Sequence, residues 1–385
     1  MRFAFHTPLK PLDHPVPSGD RAMARALAAL LERLGHRVDP LDRHADHRPG
    51  VGAPDALPAL RDAGRHRAED LVTRWHALAP DDPARPTAWF TYHLWYKRPD
   101  WIGPAVARAL AIPYIVAEAS YAPKRAGGPW DLGHRAVADA VRAADLVLTL
   151  NPDDAPCLLP LLASPDRMVS LPPFLDAAPF RAAAAGRERH RAALRAAFGW
   201  PAGVPVLIAV AMMRPPDKLQ SYRVLAEALS ALGDRDWRLL VVGDGEARAE
   251  VERAFAAMSG RVAFAGVRTA ESLPALYAAA DIHVWPAVNE AYGIGFLEAQ
   301  AAGLPVVAGH TRGVPAVVGA GESGILAPLG DAPAFARAVA ALLDDPAARA
   351  RLAAGAAARI ARLHDLDAAG RALAAALAAL PAASP

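Results

Sequence analysis

At 385 residues the chain is too long for one ordinary domain and suggests two or three. Its 53% hydrophobic and 21% charged residues provide for sizeable cores and exclude a disordered chain. With 42 basic against 40 acidic side chains, the net charge of +2 argues against nucleic acid as the main partner.

The chain opens on an expected strand, Arg2–His6, then a loop with Pro8, Pro11, Pro15 and Pro17 and the run Ser18-Gly19-Asp20. An amphipathic helix is expected over Arg21–Leu34, stopped by Gly35, and a second strand over His36–Leu41. Strand, glycine-bearing loop, helix and strand make the first unit of a parallel α/β sheet. Further strands are expected at Thr87–Tyr92, Tyr114–Ala117 and Leu146–Leu150, with helices over Ile102–Leu110 and Leu132–Ala144. From Leu171 to Pro205, prolines bracket a basic helix (Arg187–Phe198), which reads as an interdomain connection. A second series follows, with strands Val206–Ala211, Arg238–Val242, Val262–Ala265, Ile282–Trp285 and Val306–Ala308. Helices Ser221–Leu232, Ala247–Met258, Ser272–Ala279 and Gly295–Ala302 alternate with them, and the tail from Ala332 is helical. Two successive βα series imply two Rossmann-like doubly wound α/β domains facing a central cleft. The expected bounds are 1–185 and 203–362, followed by a helical tail, 363–385.

The densest signal is Asn289-Glu290-Ala291-Tyr292-Gly293-Ile294-Gly295, running into a helix that carries Glu298 and ends before Gly303-Leu304-Pro305. A strand, a glycine loop and a helix start form an anion site, because free backbone N–H groups and the helix dipole both favour negative charge. Gly293 and Gly295 allow close approach of a ligand. A carboxylate accepts two hydrogen bonds, which suits Glu290 and Glu298 to a vicinal diol such as a ribose.

These residues, with Val242-Gly243-Asp244-Gly245, Phe264-Ala265-Gly266 and Leu276-Tyr277 to Asp281, resemble the retaining glycosyltransferases of the GT-B fold. More narrowly, they resemble the bacterial glycosyltransferases often labelled family 4. The resemblance covers roughly 206–360 and implies a UDP- or GDP-sugar donor as substrate, no cofactor and no catalytic metal. It implies that Glu298 holds the donor ribose and that Glu290 contacts the sugar hydroxyls. Tyr292 and the amides of Gly293, Ile294 and Gly295 would meet sugar and phosphate, and Gly243, Asp244 and Gly266 would line the donor side. Arg214 and Lys218 match the family's basic pair on the diphosphate, where preorganised cations stabilise the leaving charge. The acceptor implied is a saccharide, a lipid-linked sugar or a small molecule, and the resemblance also implies that the helical tail, 363–385, packs back on the first domain.

Two departures from the family pattern stand out. The basic pair lies in Met212-Met213-Arg214-Pro215-Pro216-Asp217-Lys218, without the family's glycine before the arginine and one residue shorter. Where many relatives carry a histidine, the chain has Glu118, read either as a sugar or acceptor contact or as a surface carboxylate. His93 is a second candidate for that pocket, and Gly19 resembles the loop that approaches the phosphate. In the metal readings, Asp234-Arg235-Asp236 and Asp365-Leu366-Asp367 are solvated turn or helix charges. The basic stretch Arg61–Arg74 reads as a solvated helix face, with peripheral contact at an anionic membrane as the weaker reading.

Cys157 is the single cysteine, so no intramolecular disulfide forms, in keeping with a reducing compartment. The start MRFAFHTPLK has no signal-peptide core, and no apolar run is long enough for a membrane span. A cytoplasmic protein, with contact at the inner face of the membrane as an option, is expected. The alternatives to glycosyl transfer are a nucleotide-sugar epimerase of the same architecture and a non-catalytic sugar-nucleotide-binding protein.

Overall fold

Short apolar runs punctuated by polar turns form strands covered on both faces, the pattern of a parallel sheet wrapped by helices. The structure is a computed structural model that describes residues 1–16, 18–42 and 53–380, so Pro17 lies outside the described residues. The chain divides into two units, Met1–Pro172 with Ala369–Pro385, and Pro173–Ala368.

The first unit runs β1 (Arg2–His6), α1 (Gly19–Arg33), β2 (Arg37–Pro40), α2 (Leu57–His76), β3 (Ala88–Trp95) and α3 (Gly103–Leu110). It continues with β4 (Tyr114–Ser120), α4 (Asp131–Ala143), β5 (Leu146–Thr149), α5 (Ala155–Leu158) and β6 (Met168–Ser170). The strands form one parallel six-stranded sheet in the order β2-β1-β3-β4-β5-β6. One face packs Ala4, Trp89, Val116 and Val147 against Leu71 and Trp75 of α2, Val106 of α3 and Val137 of α4. Ser18 caps α1 by accepting from the Arg21 amide at 3.2 Å. The helix stops at Gly35, whose φ of +82° is readily adopted by glycine.

The second unit begins with α6 (Ala178–Ala185) and α7 (Arg187–Phe198). The region expected as a connection is therefore a helical pair folded against the second unit. Arg187 donates to the carbonyls of Ala280 (3.0 Å) and Ala302 (2.6 Å), and Arg191 pairs with Asp281. Then come β7 (Val206–Val210), α8 (Asp217–Ser230), β8 (Arg238–Val242), α9 (Arg248–Ala254), β9 (Val262–Gly266) and α10 (Leu273–Ala279). After these follow β10 (Ile282–Trp285), α11 (Ile294–Ala301), β11 (Val306–His310), α12 (Val314–Val317), β12 (Gly324–Pro328), α13 (Ala332–Asp344) and α14 (Pro346–Arg359). The second parallel six-stranded sheet has the order β12-β11-β10-β7-β8-β9. In both units the strand order reverses beside the first strand, at β1/β3 and at β7/β10. Doubly wound sheets bind ligands at the carboxyl ends of such switch points.

A π-helical turn, Ile360–His364, leads to α15 (Leu366–Ala378), whose later residues belong to the first unit. There Gly370 sits so close to α1 that an added Cβ would touch Leu30 at 3.6 Å and Leu34 at 3.8 Å.

Two sequence expectations change here. Asp365 is buried rather than solvated: it caps α15 through the Ala368 amide (2.9 Å) and faces Arg181 at 3.5 Å. Arg67, on the helix face expected to be solvated, reaches in to Asp42 (3.1 Å) and to the Leu41 carbonyl.

Candidate functional site

In the second unit, the chain turns sharply after β10. Ala287 and Asn289 both take left-handed backbone angles, φ +57° and +56°, which cost energy in non-glycine residues and persist only when the surroundings enforce them. Here α8 supplies the enforcement. The Val288 amide donates to Ser221 Oγ (2.9 Å), and Asn289 Nδ2 donates to Asp217 (2.7 Å). The loop after β10 is thereby tied to the helix after β7, and Glu290 meets Lys218.

Lys218 Nζ donates to Glu290 Oε2 and lies 5.6 Å from the centre of the Trp285 ring, while Trp285 Nε1 approaches the same oxygen at 3.4 Å. Both charged side chains are about one-fifth exposed, so the pair is partly open to solvent. Arg214 stands exposed in the loop before α8 and forms no ion pair with the described residues.

Gly293 precedes α11 at φ +77°, where a Cβ would meet the Phe296 ring at 2.7 Å. No side chain caps the first amides of α11. Ile294 opens the helix. Gly295 differs from Gly293, since its Cβ would find only ordinary contacts, with Tyr277 Oη at 3.4 Å and Val210 O at 3.6 Å. The protein's own packing does not demand a glycine at 295. Tyr292 is buried beside them.

Glu298 lies one turn into α11. Its Oε2 accepts from the hydroxyl of Tyr277 at 2.9 Å, a residue with no exposed surface. Burial pushes the Glu298 carboxyl up to about 7, against the pull of the Tyr277 hydrogen bond. Burial and the adjacent carboxylate raise the Tyr277 phenol well above its ordinary range. Beneath them, burial holds the His283 imidazole down near 3, so it is neutral.

Gly243 and Gly266 serve the backbone. At Gly243, φ +135°, a Cβ would sit 2.0 Å from the Ala211 carbonyl, and its amide donates to Gly266 O at 2.9 Å. Asp244 is engaged locally, accepting from the Gly245 amide and from Arg248, each at 2.8 Å; these bonds lower its carboxyl pKa.

The first unit gathers a separate constellation at the carboxyl ends of β3 and β4. His93 and Glu118 lie within these strands rather than after them, both left-handed at φ +61° and +58°. The neighbouring pairs Tyr92–Ala117 and Leu94–Ala119 keep the ladder aligned around them. His93 Nδ1 donates to Asp20 at 2.9 Å and lies 4.0 Å from Glu118, which accepts from the Tyr92 hydroxyl at 3.1 Å. Asp20 stands in the first turn of α1, next to Gly19. Burial opposes protonation of His93, but the Glu118 charge and the Asp20 bond outweigh it and lift the imidazole to about 9. Burial raises the Glu118 carboxyl.

Sequence reasoning passed over Asp20, Tyr277 and Trp285 as site residues. Tyr277 was visible inside its motif, whereas nothing local marks Asp20 as the partner of a histidine 73 positions away. Among the described residues no group of three or more His, Cys, Asp or Glu could hold a metal ion, and no helix is long and apolar enough to cross a membrane.

The family described as glycosyl transferases group 1 matches residues 204–345. The chain is 33% identical over 309 residues to the D-inositol 3-phosphate glycosyltransferase of Acidothermus cellulolyticus, a match covering 75% of this chain and 67% of that protein. It is 34% identical over 260 residues to the 2-deoxystreptamine glucosyltransferase of Streptomyces kanamyceticus, covering 64% and 65%. In fold it resembles Anabaena HepE, solved in complex with UDP and glucose, at a TM-score of 0.70 and 17% identity over 99% of this chain and 100% of that one. The sucrose-phosphate synthase of Thermosynechococcus elongatus is similar at a TM-score of 0.71 and 21% identity, covering both chains fully.

Proposed function

This chain belongs to the group 1 glycosyltransferases of the GT-B fold, and from that membership we propose that it transfers a sugar with retention from a UDP- or GDP-sugar to an acceptor hydroxyl. The observation that carries the reading is the joining of Lys218 to Glu290 at the β7/β10 switch point, one loop away from the uncapped start of α11.

In this reading Lys218, assisted by the exposed Arg214, stabilises charge growing on the departing diphosphate. Glu290 orients Lys218 and contacts the sugar hydroxyls. The amides of Gly293, Ile294 and Gly295 meet phosphate and sugar, and Gly295 leaves them room. Glu298 accepts from the ribose diol. The acceptor oxygen bonds to the anomeric carbon on the face from which the phosphate oxygen departs. That phosphate oxygen takes the acceptor's proton, so no side-chain nucleophile is needed. His93 and Glu118 contribute to the sugar or acceptor pocket, and the acceptor is a polyhydroxylated small molecule or saccharide, a class supported by the acceptors named in the two relatives. The reaction needs no metal.

Donor hydrolysis and nucleotide binding test this together. Glu298→Gln keeps the shape and loses the charge, so nucleotide binding falls by roughly tenfold to a hundredfold. Lys218→Ala lowers turnover more than binding, because its partner charge appears in the transition state. Turnover of the intact protein persists in EDTA. Unchanged behaviour at both positions would remove this site from the reaction, and sugar isomerisation without hydrolysis would point to an epimerase.

A further inference from the structure

The carboxylate of Glu298 has one fixed neighbour. Its Oε2 accepts from the Tyr277 hydroxyl at 2.9 Å, and Tyr277 is enclosed by the rings of Phe180 (centroids 6.0 Å apart) and His283 (5.8 Å). Those rings hold the phenol in one place, so the position of its oxygen is set by packing. His283 is buried, is edge-on to Phe296 at 5.5 Å, and its Nδ1 has no hydrogen-bond partner among the described residues.

The charged groups nearest α11 on α6, α7 and α14 are occupied elsewhere, and His310 at the end of β11 is exposed. Arg187 of α7 binds the Ala280 and Ala302 carbonyls, and Arg181 of α6 faces Asp365. Arg359 of α14 lies on Glu322 and on the carbonyls of Ala316 and Val317, and His364 is hydrogen-bonded to Pro173 O. Burial holds His283 and His364 near 3 and 4, so neither is charged at neutral pH. No cation supports Glu298 among these residues.

We propose that Tyr277 is a positioning residue for donor recognition, acting through Glu298: its hydroxyl anchors one carboxylate oxygen and leaves the other, charged, for the ribose of the donor. The inference rests on the donor-site reading above. A carboxyl raised by burial to about 7 is partly protonated near neutrality, and a protonated carboxyl cannot accept both hydrogen bonds of a vicinal diol. Donor affinity therefore falls in mild acid, and Tyr277 sets where the fall begins, since its bond favours the ionised form.

The test is calorimetric titration of UDP and GDP into the intact chain, Tyr277→Phe and Glu298→Gln from about pH 5.5 to about 8.5, with melting followed in parallel. The intact chain loses affinity as pH falls through about 7. Tyr277→Phe retains the packed ring, binds about tenfold more weakly at neutral pH, and begins its acid loss at higher pH. In turnover it raises the donor KM more than it lowers kcat. Glu298→Gln binds weakly and keeps only the acid limb that the nucleotide's own terminal phosphate imposes, titrating at about pH 6. A Tyr277→Phe profile that overlays the intact chain overturns the inference, as does an acid limb in Glu298→Gln as large as that of the intact chain. Failure of the intact chain to bind either nucleotide overturns the donor-site reading and this inference with it.

Discussion

At the carboxyl ends of the first sheet, titratable side chains hold one another. His6 bonds Asp42 at 2.7 Å and faces Asp100 at 3.5 Å, while His93 joins Asp20 and Glu118. Asp100 alone accepts from the amides of Ile102 and Gly103 and from the hydroxyls of Thr91 (2.6 Å) and Tyr114 (3.0 Å). At the carboxyl ends of the second sheet, close backbone approach does much of that work. Gly243 lies against Ala211, Gly245 against Met213, and Gly309 against Pro286. The two sheets share one architecture but weight the same forces differently: acid–imidazole networks dominate in the first, while in the second close backbone approach works beside side-chain ties such as Ser221 to Val288. A polar network responds to protons, whereas backbone packing responds to volume.

The largest expected effect follows from volume. Gly243→Ala places a Cβ 2.0 Å from a carbonyl oxygen at a backbone angle that disfavours side chains. We expect a loss of about 3 kcal/mol or more, read by chemical denaturation. A loss within experimental error would mean that the second sheet is not held by close approach. Asp100→Asn changes almost no volume but replaces one acceptor oxygen with an NH2 that donates, set against groups that themselves donate. It should cost about 2–3 kcal/mol in the first unit, and a neutral result would break the comparison from the other side.

The smallest effect sharpens the comparison through pH. His93, at about 9 in the folded chain against an ordinary 6.5, binds its proton more tightly when folded. Its contribution is complete below about pH 6.5 and disappears as pH rises through about 9. His283 and His364, near 3 and 4, act in the opposite sense. The unfolded chain takes up their protons first, so the second unit weakens as pH falls below 6.5. Glu298, raised to about 7, offsets one of these two between its ordinary 4.5 and 6.5. Hydrogen exchange of each unit at acid, neutral and alkaline pH should show the first unit loosening in alkali and the second in acid, by about 1–2 kcal/mol each. Loosening on the same side in both units would remove the contrast.

The same difference explains what the sequence makes legible. In the second unit, strand, glycine and carboxylate lie within a few residues of one another, so the motif from Asn289 to Glu298 could be read directly. Lys218 and Glu290, 72 positions apart, were both named as site residues because each sits at a strand end within a familiar pattern. In the first unit the contacts join distant segments, Asp20 to His93 and Asp42 to Arg67, and local pattern says nothing about pairing across such distances. Arg67 therefore looked solvated. Edge elements were missed for another reason. β6 has three residues, and β12 lies between Gly324 and Pro328, which read as turn signals.

The path of the chain through its two units has a consequence for how the protein can be cut. It leaves the first unit at Pro172 and re-enters it at Ala369, so the second unit is an insertion in the sequence of the first. The two crossings run side by side: Leu175 is bridged to Asp365, and the His364 ring is hydrogen-bonded to Pro173 O. A stop codon just after Ala368 would delete no strand of the second sheet. It would instead remove the buried Leu373 and Leu377 from the first unit, and with them the helix resting on α1. A library of C-terminal truncations would thus report on the opposite end of the gene product, and a split between 1–172 and 173–385 would leave the first unit's last helix on the wrong fragment.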